Sequence, residues 1–288
     1  MKASLVLAGG IALHAQLFVL DKTQMVRVTA ANPYERFADG RPKVPDSVLN
    51  EIKLLTQEDV LNVLTAKGHP NHFEGNWRLL HPGKKLVGRV VTAQYMPVRA
   101  DLAKISDEEA VERGWSTSPN QRVIDQLQPG DVLVVDLFGK VAGGTFVGDN
   151  LATAIFAATG NGFVIDGPVR DLDEIFPLDM GAYFRNVHPS AIRDVMLTGY
   201  NIPVRIGGVT VMPGDVVLGD REGVSFLAPE HIQAVLERAE ETRIHDEWTK
   251  AKFLSGKYKS TDLYPRPKDP ALVKEYEAYK ASKMKRRN

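Results

Sequence analysis

The sequence predicts an α/β protein built on a βαβ unit, and three observations carry that prediction. Residues 132–136 (Val-Leu-Val-Val-Asp) and 163–166 (Phe-Val-Ile-Asp) are short apolar runs of the kind that form strands buried on both faces. Residues 151–158 between them read Leu-Ala-Thr-Ala-Ile-Phe-Ala-Ala, a compact helical stretch opened by Asp149-Asn150, which suit a helix cap. Glycine and proline punctuate each junction, with Gly148 before the helix, Gly160-Asn161-Gly162 after it and Gly167-Pro168 beyond the second strand. Strand, helix and strand at this spacing predict a parallel pair.

The other elements follow in order. Residues 21–46 are polar and irregular, with Asn32-Pro33 and Asp39-Gly40-Arg41-Pro42, and read as a surface arm or linker. Val48, Leu49, Ile52 and Leu55 recur at helical spacing. A second helix starts at Thr56, whose hydroxyl caps it, and carries Val60, Leu61 and Leu64 on its apolar stripe. Lys67-Gly68-His69-Pro70 stops that helix. Residues 86–93 are β-rich, and 101–125 predict a helix with loops. Ile202 to Met212, folded about Gly207-Gly208, is a hairpin pattern. Further strands are expected at 216–218 and 223–227, and Pro229 opens a helix carrying Ile232, Val235, Leu236 and Ala239. Beyond about residue 248 the chain turns polar and basic and reads as a peripheral tail. Apart from two Pro-Gly-Asp turns, at 129–131 and 213–215, no repeat stands out.

Composition narrows the function classes. Hydrophobic residues at 43% and charged residues at 25% are ordinary for a globular chain able to bury a large core. Thirty-six Lys and Arg balance thirty-six Asp and Glu, so no overall field draws in nucleic acid. The absence of cysteine excludes disulfides, thiolate metal sites and cysteine nucleophiles. No Gly-rich nucleotide loop and no nucleophile-elbow motif is present. At the start, Met1-Lys2 precedes an apolar run over residues 3–13 and a small residue, Ala15. That is the layout of a secretory signal peptide, too short to span a bilayer. The expectation is a periplasmic or secreted protein if residues 1–15 are cleaved, and a cytoplasmic one otherwise. His69 and His72 alone make a poor metal pair, because a proline separates them and no third ligand adjoins.

The candidate chemistry lies around the βαβ unit. Gly148, Asp149, Asn150 and Leu151 sit where a Gly-rich loop meets a helix start, a place where free backbone N–H groups attract a small anion. One helix and one strand separate Asp149 from Arg170-Asp171, so the chain returns to the same sheet edge, where open α/β sheets bind ligands. A lone carboxylate with waters is a normal way to hold Mg²⁺. A metal bound to a 2-oxo acid polarises its ketone, an Arg fork suits a carboxylate or an enolate oxygen, and a second carboxylate can orient a water. Equally, Asp149 alone could be a helix cap, Arg170–Asp171 a surface ion pair, and Asp136 and Asp166 plain strand ends.

The segments 129–136, 148–154 and 164–171, extended by 207–215 and 219–224, resemble the RraA-like family, in order over about residues 48–245. That family includes the class II 4-hydroxy-4-methyl-2-oxoglutarate/4-carboxy-4-hydroxy-2-oxoadipate aldolases. The resemblance implies an αββα-type domain at 48–247, flanked by an N-terminal arm (16–47) and a C-terminal tail (248–288). It implies cleavage of a 4-hydroxy-2-oxo acid to pyruvate, assisted by Mg²⁺ or Mn²⁺, with oxaloacetate decarboxylation as a second activity. By position, Asp171 is then the metal ligand, and Arg170 binds the 2-oxo acid and stabilises the enolate. Asp149 holds a catalytic water, and Gly148, Asp149, Asn150 and Leu151 cradle the substrate. It further implies a homotrimer or hexamer with sites at subunit contacts, where a neighbour's carboxylate approaches the metal waters; the resemblance does not place that residue, and Glu240, Glu241 and Glu247 are candidates only. The same family contains non-catalytic regulators that bind protein partners, and this is the alternative reading. The leader, the arm, the tail and the insert at 71–78 depart from the plain family pattern.

Overall fold

The computed structural model describes residues 19–285, so the leader-like segment at 1–15 lies outside the described residues. Three helices come first, α1 (Lys22–Val28), α2 (Asp46–Ile52) and α3 (Gln57–Ala66). The two-residue strands β1 (Phe73–Glu74) and β2 (Arg78–Leu79) precede the long β3 (Leu86–Pro97). Helices α4 (Ala100–Glu112) and α5 (Pro119–Ile124) lead into β4 (Asp131–Asp136), α6 (Asp149–Thr159) and β5 (Phe163–Val169). After the single turn α7 (Leu172–Ile175) come β6 (Ala182–Val187), β7 (Val195–Tyr200), the hairpin β8 (Val204–Ile206) and β9 (Val209–Val211), then β10 (Val216–Gly219) and β11 (Val224–Leu227). Helices α8 (Ile232–Leu254), α9 (Ser260–Leu263) and α10 (Pro270–Lys285) close the chain.

The sheet runs β1-β11-β10-β3-β4-β5-β6-β2, with β7 also pairing with β3. Its centre, β3-β4-β5-β6, is parallel, and the predicted βαβ unit is there, with Val134 opposite Val164 and Asp136 opposite Asp166. Side chains of β4 and β5 alternate between two apolar layers. Leu133, Val135, Phe163 and Ile165 pack with Ile155 of α6 and Ile175 of α7. Val132, Val134 and Val164 pack with Val204, Ile206, Val209 and Val211 of the hairpin. Burial on both faces explains why these runs lack polar alternation. A third layer sets α2, α3 and α8 on Val216, Leu218 and Leu227. Thr56 caps α3 as expected, and Gly160, at φ +66, ends α6 in the left-handed conformation that glycine adopts without strain.

Four departures from the sequence reading have physical causes. Residues 19–47 are not merely a surface arm. Arg41 is 1% exposed and its Nη1 sits 2.8 Å from Oδ1 of Asp131, which is wholly buried in the first Pro-Gly-Asp turn. Next to it, Pro42 packs so closely on Gly214 of the second such turn that a side chain there would collide with it. The segment therefore bridges both turns. Toward the other end, α8 continues six residues past Trp248, which packs with Leu263 and Tyr276, so residues 248–285 form their own small cluster on α8. Strands β6 and β7 went unforeseen because arginine, asparagine and glycine interrupt their apolar pattern. The segment at 71–78 supplies β1 and the start of β2, which pair with β11 and β6. Among the described residues, no helix is long and apolar enough to cross a membrane.

Two predictions follow from these turns. Arg41→Ala leaves the Asp131 carboxylate buried without its partner, which costs roughly 3–5 kcal/mol, and thermal melting should show a correspondingly lower Tm. Arg41→Ala melting with the wild type would contradict the bridge. Asp215, in the second turn, is buried, and burial pushes its carboxyl up to about 7, against the hydrogen bond it accepts from Met212 N–H. In unfolded chain the same carboxyl titrates near 4. Between these values the folded state keeps a proton that the unfolded state has lost, so this group's contribution to stability falls as pH rises from about 4 to about 7. Asp215→Asn removes that slope. Its Tm relative to wild type should rise from pH 5 to pH 8, and a pH-independent offset would refute the assignment.

Candidate active site

The site forms where α6 starts beside the carboxyl end of β5. Gly148 is the N-cap in extended conformation, so Asp149 is the first helical residue rather than the cap. The reason is steric. A Cβ at Gly148 would collide with Asp171 Oδ2 and lie 2.8 Å from Arg170 Nε, so any larger residue at the cap must displace both side chains. With no side chain there, the Asp171 carboxylate reaches the helix start, where Oδ2 accepts the Asp149 N–H at 3.4 Å. The positive end of the α6 dipole faces that carboxylate.

Asp171 itself adopts φ 57°, ψ 46°, a left-handed conformation uncommon outside glycine, asparagine and aspartate. This turn ends β5, caps α7 and throws the carboxylate back toward α6. Such strained residues persist where surrounding structure over-determines them. Arg170 Nε lies 3.1 Å from Asp171 Oδ2, and both side chains are partly exposed, at 26% and 35%. Arg170 Nη1 donates to Thr145 Oγ1 at 3.1 Å. Its backbone N–H binds Val147 C=O, which locks the strand end to the loop that leads into α6.

The structure thus brings Gly148, Asp149, Arg170 and Asp171 together. Asn150 and Leu151 complete the first turn, and Asn150 Nδ2 donates to Asp149 Oδ1 at 3.1 Å. The N–H groups of Asn150 and Leu151 have no intrahelical partner, as at every helix start. The first N–H of the turn takes the protein's own carboxylate, which leaves these two for an incoming anion.

Asp136 ends β4, but Asp166 does not end its strand: β5 runs on through Gly167-Pro168, past a register shift, to Val169, and both carboxylates lie on the hairpin side of the sheet. Asp166 pairs with Arg185 at 2.6 Å, and Arg185 also binds Glu74 at 2.7 Å and stacks on the Trp77 ring at 3.7 Å. Burial raises the Asp136 carboxyl above its usual range, with the neighbouring Asp166 adding to the effect. Glu241 and Glu247 are engaged by Lys280 and Lys283, and Glu240 by Arg243. His72 Nδ1 binds the His69 carbonyl at 2.6 Å, while the His69 ring meets that of His231.

Thr145 and Ser190 escaped the sequence reading. Thr145 is wholly buried, and its hydroxyl and N–H both donate to Ser190 C=O, at 2.8 and 3.1 Å. A threonine inside a Gly-rich loop carries no periodic signal, and Ser190 lies forty-five residues further on.

The residues fit a hard divalent cation held by few protein ligands. Asp171 Oδ2 is taken by Arg170 and the helix start, while no hydrogen bond from the described residues reaches Oδ1. Asp149, the first residue of α6, carries a second carboxylate. Among the described residues no three acidic or histidine side chains converge to form a closed chelate. Coordination by one or two carboxylates, completed by water and substrate, is the Mg²⁺ pattern.

Gly148→Ala should keep the fold by far-UV circular dichroism and weaken Mg²⁺ binding, measured calorimetrically, by at least about tenfold. The methyl displaces both Asp171 and Arg170, and misplacements of about 1 Å cost that much or more. Unchanged affinity would show that the close approach is dispensable.

Comparison with known proteins identifies the family. The RraA-like family model, described as Aldolase/RraA, matches residues 57–225. A provisionally named 4-hydroxy-4-methyl-2-oxoglutarate aldolase of Halalkalibacterium halodurans is 31% identical over 125 residues, 42% of this chain and 58% of that protein. One from Azotobacter vinelandii, also provisionally named, is 34% identical over 108 residues, 36% of this chain and 66% of that one. The matched stretches therefore span about three fifths to two thirds of these relatives. Among solved structures, Streptomyces coelicolor RraAS2, described as an unusual member of the RNase ES inhibitor RraA protein family, superposes with a TM-score of 0.62. It is 24% identical, covering 73% of this chain and all of that one. A Pseudomonas syringae pv. tomato protein gives 0.63 at 24% identity, over 78% and 94%. At such identity these two structures show the shared fold.

Proposed function

The chain belongs to the RraA-like family, and from that premise we propose that it is a divalent-metal-dependent carbon–carbon lyase. It cleaves a 4-hydroxy-2-oxo acid to pyruvate and a second carbonyl compound, and decarboxylates oxaloacetate by the same chemistry. The observation that supports this most is the Arg170–Asp171–Gly148 contact, which sets a free carboxylate oxygen, an arginine fork and a helix start around one small space.

Asp171 would hold the cation, Mg²⁺ or Mn²⁺. When bound, the cation supplies Lewis-acid polarisation of the 2-oxo group. The chain's own residues do the rest. Arg170 binds the substrate's carboxylate and faces the oxygen on which enolate charge develops. The N–H groups of Asn150 and Leu151 donate to the anionic end of the substrate. Asp149 orients a water that removes the proton from the 4-hydroxyl. As that O–H electron pair forms the new C=O, the C3–C4 bond breaks and its electrons become the enolate of pyruvate. A proton returned to C3 completes the product. In oxaloacetate the departing group is CO₂, and the same enolate forms without a base. The enzyme works as a homo-oligomer, a trimer or hexamer, and is exported if residues 1–15 are cleaved.

The test is pyruvate release from oxaloacetate and from 4-hydroxy-4-methyl-2-oxoglutarate, with Mg²⁺, with chelator, and in Asp171→Ala and Arg170→Ala. Turnover should require the metal and fall at least about a hundredfold in each variant, as when a preorganised charged contact is removed. A wild type that binds no metal and releases no pyruvate would sink the lyase reading and leave a protein-binding role.

A further inference from the structure

We propose that Thr145 is the positioning residue that sets which edge of the Arg170 guanidinium meets the substrate; the assignment rests on the lyase reading above. A hydroxyl has one hydrogen, and that of Thr145 goes to Ser190 C=O at 2.8 Å. Its oxygen is therefore left as an acceptor, and Arg170 Nη1 donates to it at 3.1 Å. The direction cannot reverse, because a carbonyl only accepts and a guanidinium only donates. Thr145 is wholly buried and β-branched, so its χ1 is fixed by packing, and its backbone N–H ties to the same Ser190 carbonyl. Ser190 is held in turn from His188, whose Nδ1 lies 2.8 Å from the Ser190 hydroxyl and 3.2 Å from its N–H. His188 N–H binds Val169 C=O, one residue before Arg170, so the brace closes on the same strand end.

A guanidinium carries five N–H donors in one plane. Nε faces Asp171 and one Nη1 hydrogen faces Thr145, which fixes that plane at two separate points. Three donors remain, two on Nη2 and one on Nη1, and these form the fork that grips a carboxylate or enolate in two-point fashion. Without the Thr145 oxygen the guanidinium is held only at Nε and turns about its last bonds. Charge and location survive, while orientation is lost.

The test uses oxalate, a planar dianion shaped like the pyruvate enolate, as a binding probe alongside turnover, both with Mg²⁺. Thr145→Val keeps the shape and removes the hydroxyl. It should lower oxalate affinity about tenfold and kcat/KM about ten- to hundredfold, the range for one hydrogen bond to a charged group. The loss should fall more on kcat than on KM, since the enolate charge is absent from the bound substrate and develops toward the transition state. Thr145→Ser restores the oxygen and should return both within about threefold. In an Arg170→Ala background, Thr145→Val should change oxalate affinity less than about twofold, because the group it positions is gone. Equal losses in both backgrounds, or failure of serine to rescue, would overturn the assignment in favour of plain packing, as would Thr145→Val behaving like wild type. A wild type that binds no oxalate and releases no pyruvate overturns the lyase reading instead, and this inference with it.

Discussion

The site depends on one close approach. The Asp171 carboxylate and the Arg170 side chain both occupy the space that a Cβ at position 148 would fill. Because that residue is glycine, a carboxylate seats directly on the start of α6, and an arginine lies along it at 3.1 Å. The left-handed turn at Asp171 costs of order 1–3 kcal/mol for a residue with a side chain. The contact with the Asp149 N–H, the helix dipole and Arg170 offsets that cost. The turn is held from below as well, since Ile175 N–H bonds to the Asp171 carbonyl.

The parallel sheet makes this approach reproducible. Register between β4 and β5 puts Asp136 opposite Asp166, and both strands then hand their loops to the same edge. The loop after β4 carries Thr145 and Gly148, and the turn after β5 carries Arg170 and Asp171. On the other face the hairpin β8–β9 and the Arg185 ion network fill the space, so the strands cannot shift without exposing charge. The N-terminal segment adds a third constraint by anchoring Arg41 at the opposite end of β4, on Asp131. Strand β4 is thereby fixed at both ends.

Much of this was legible in the residues. The apolar runs at β4 and β5, the helix between them and the glycines at its ends define the βαβ unit, and that unit alone places Asp149 near Arg170-Asp171. The hairpin followed from Gly207-Gly208 between alternating apolar residues, and the cap at Thr56 from its hydroxyl, while the reciprocal bond from Asp59 came only with the structure. What stayed hidden depends on long-range pairing. Arg41 reads as a polar arm residue because its partner lies ninety residues away. Strands β6 and β7 carry Arg185, Asn186 and Thr198, polar groups whose partners exist only in the folded sheet. Thr145 gave no signal because its role comes from two partners distant in sequence, Arg170 and Ser190. The exchange of roles at the α6 start, with Gly148 as cap and Asp149 inside the helix, follows from a steric collision that spacing cannot reveal.

The central claim is that Arg170 and Asp171 together stabilise a 2-oxo-acid enolate, whatever lies beyond the scissile bond. Exchange of the pyruvate methyl protons in D₂O, followed by proton NMR, tests that step without a choice of aldol substrate. The account predicts that the methyl signal fades with enzyme and Mg²⁺, persists with chelator, and persists in Arg170→Ala and Asp171→Ala. Exchange that is indifferent to the metal and to both substitutions, or no exchange above the buffer rate in the wild type, would contradict it.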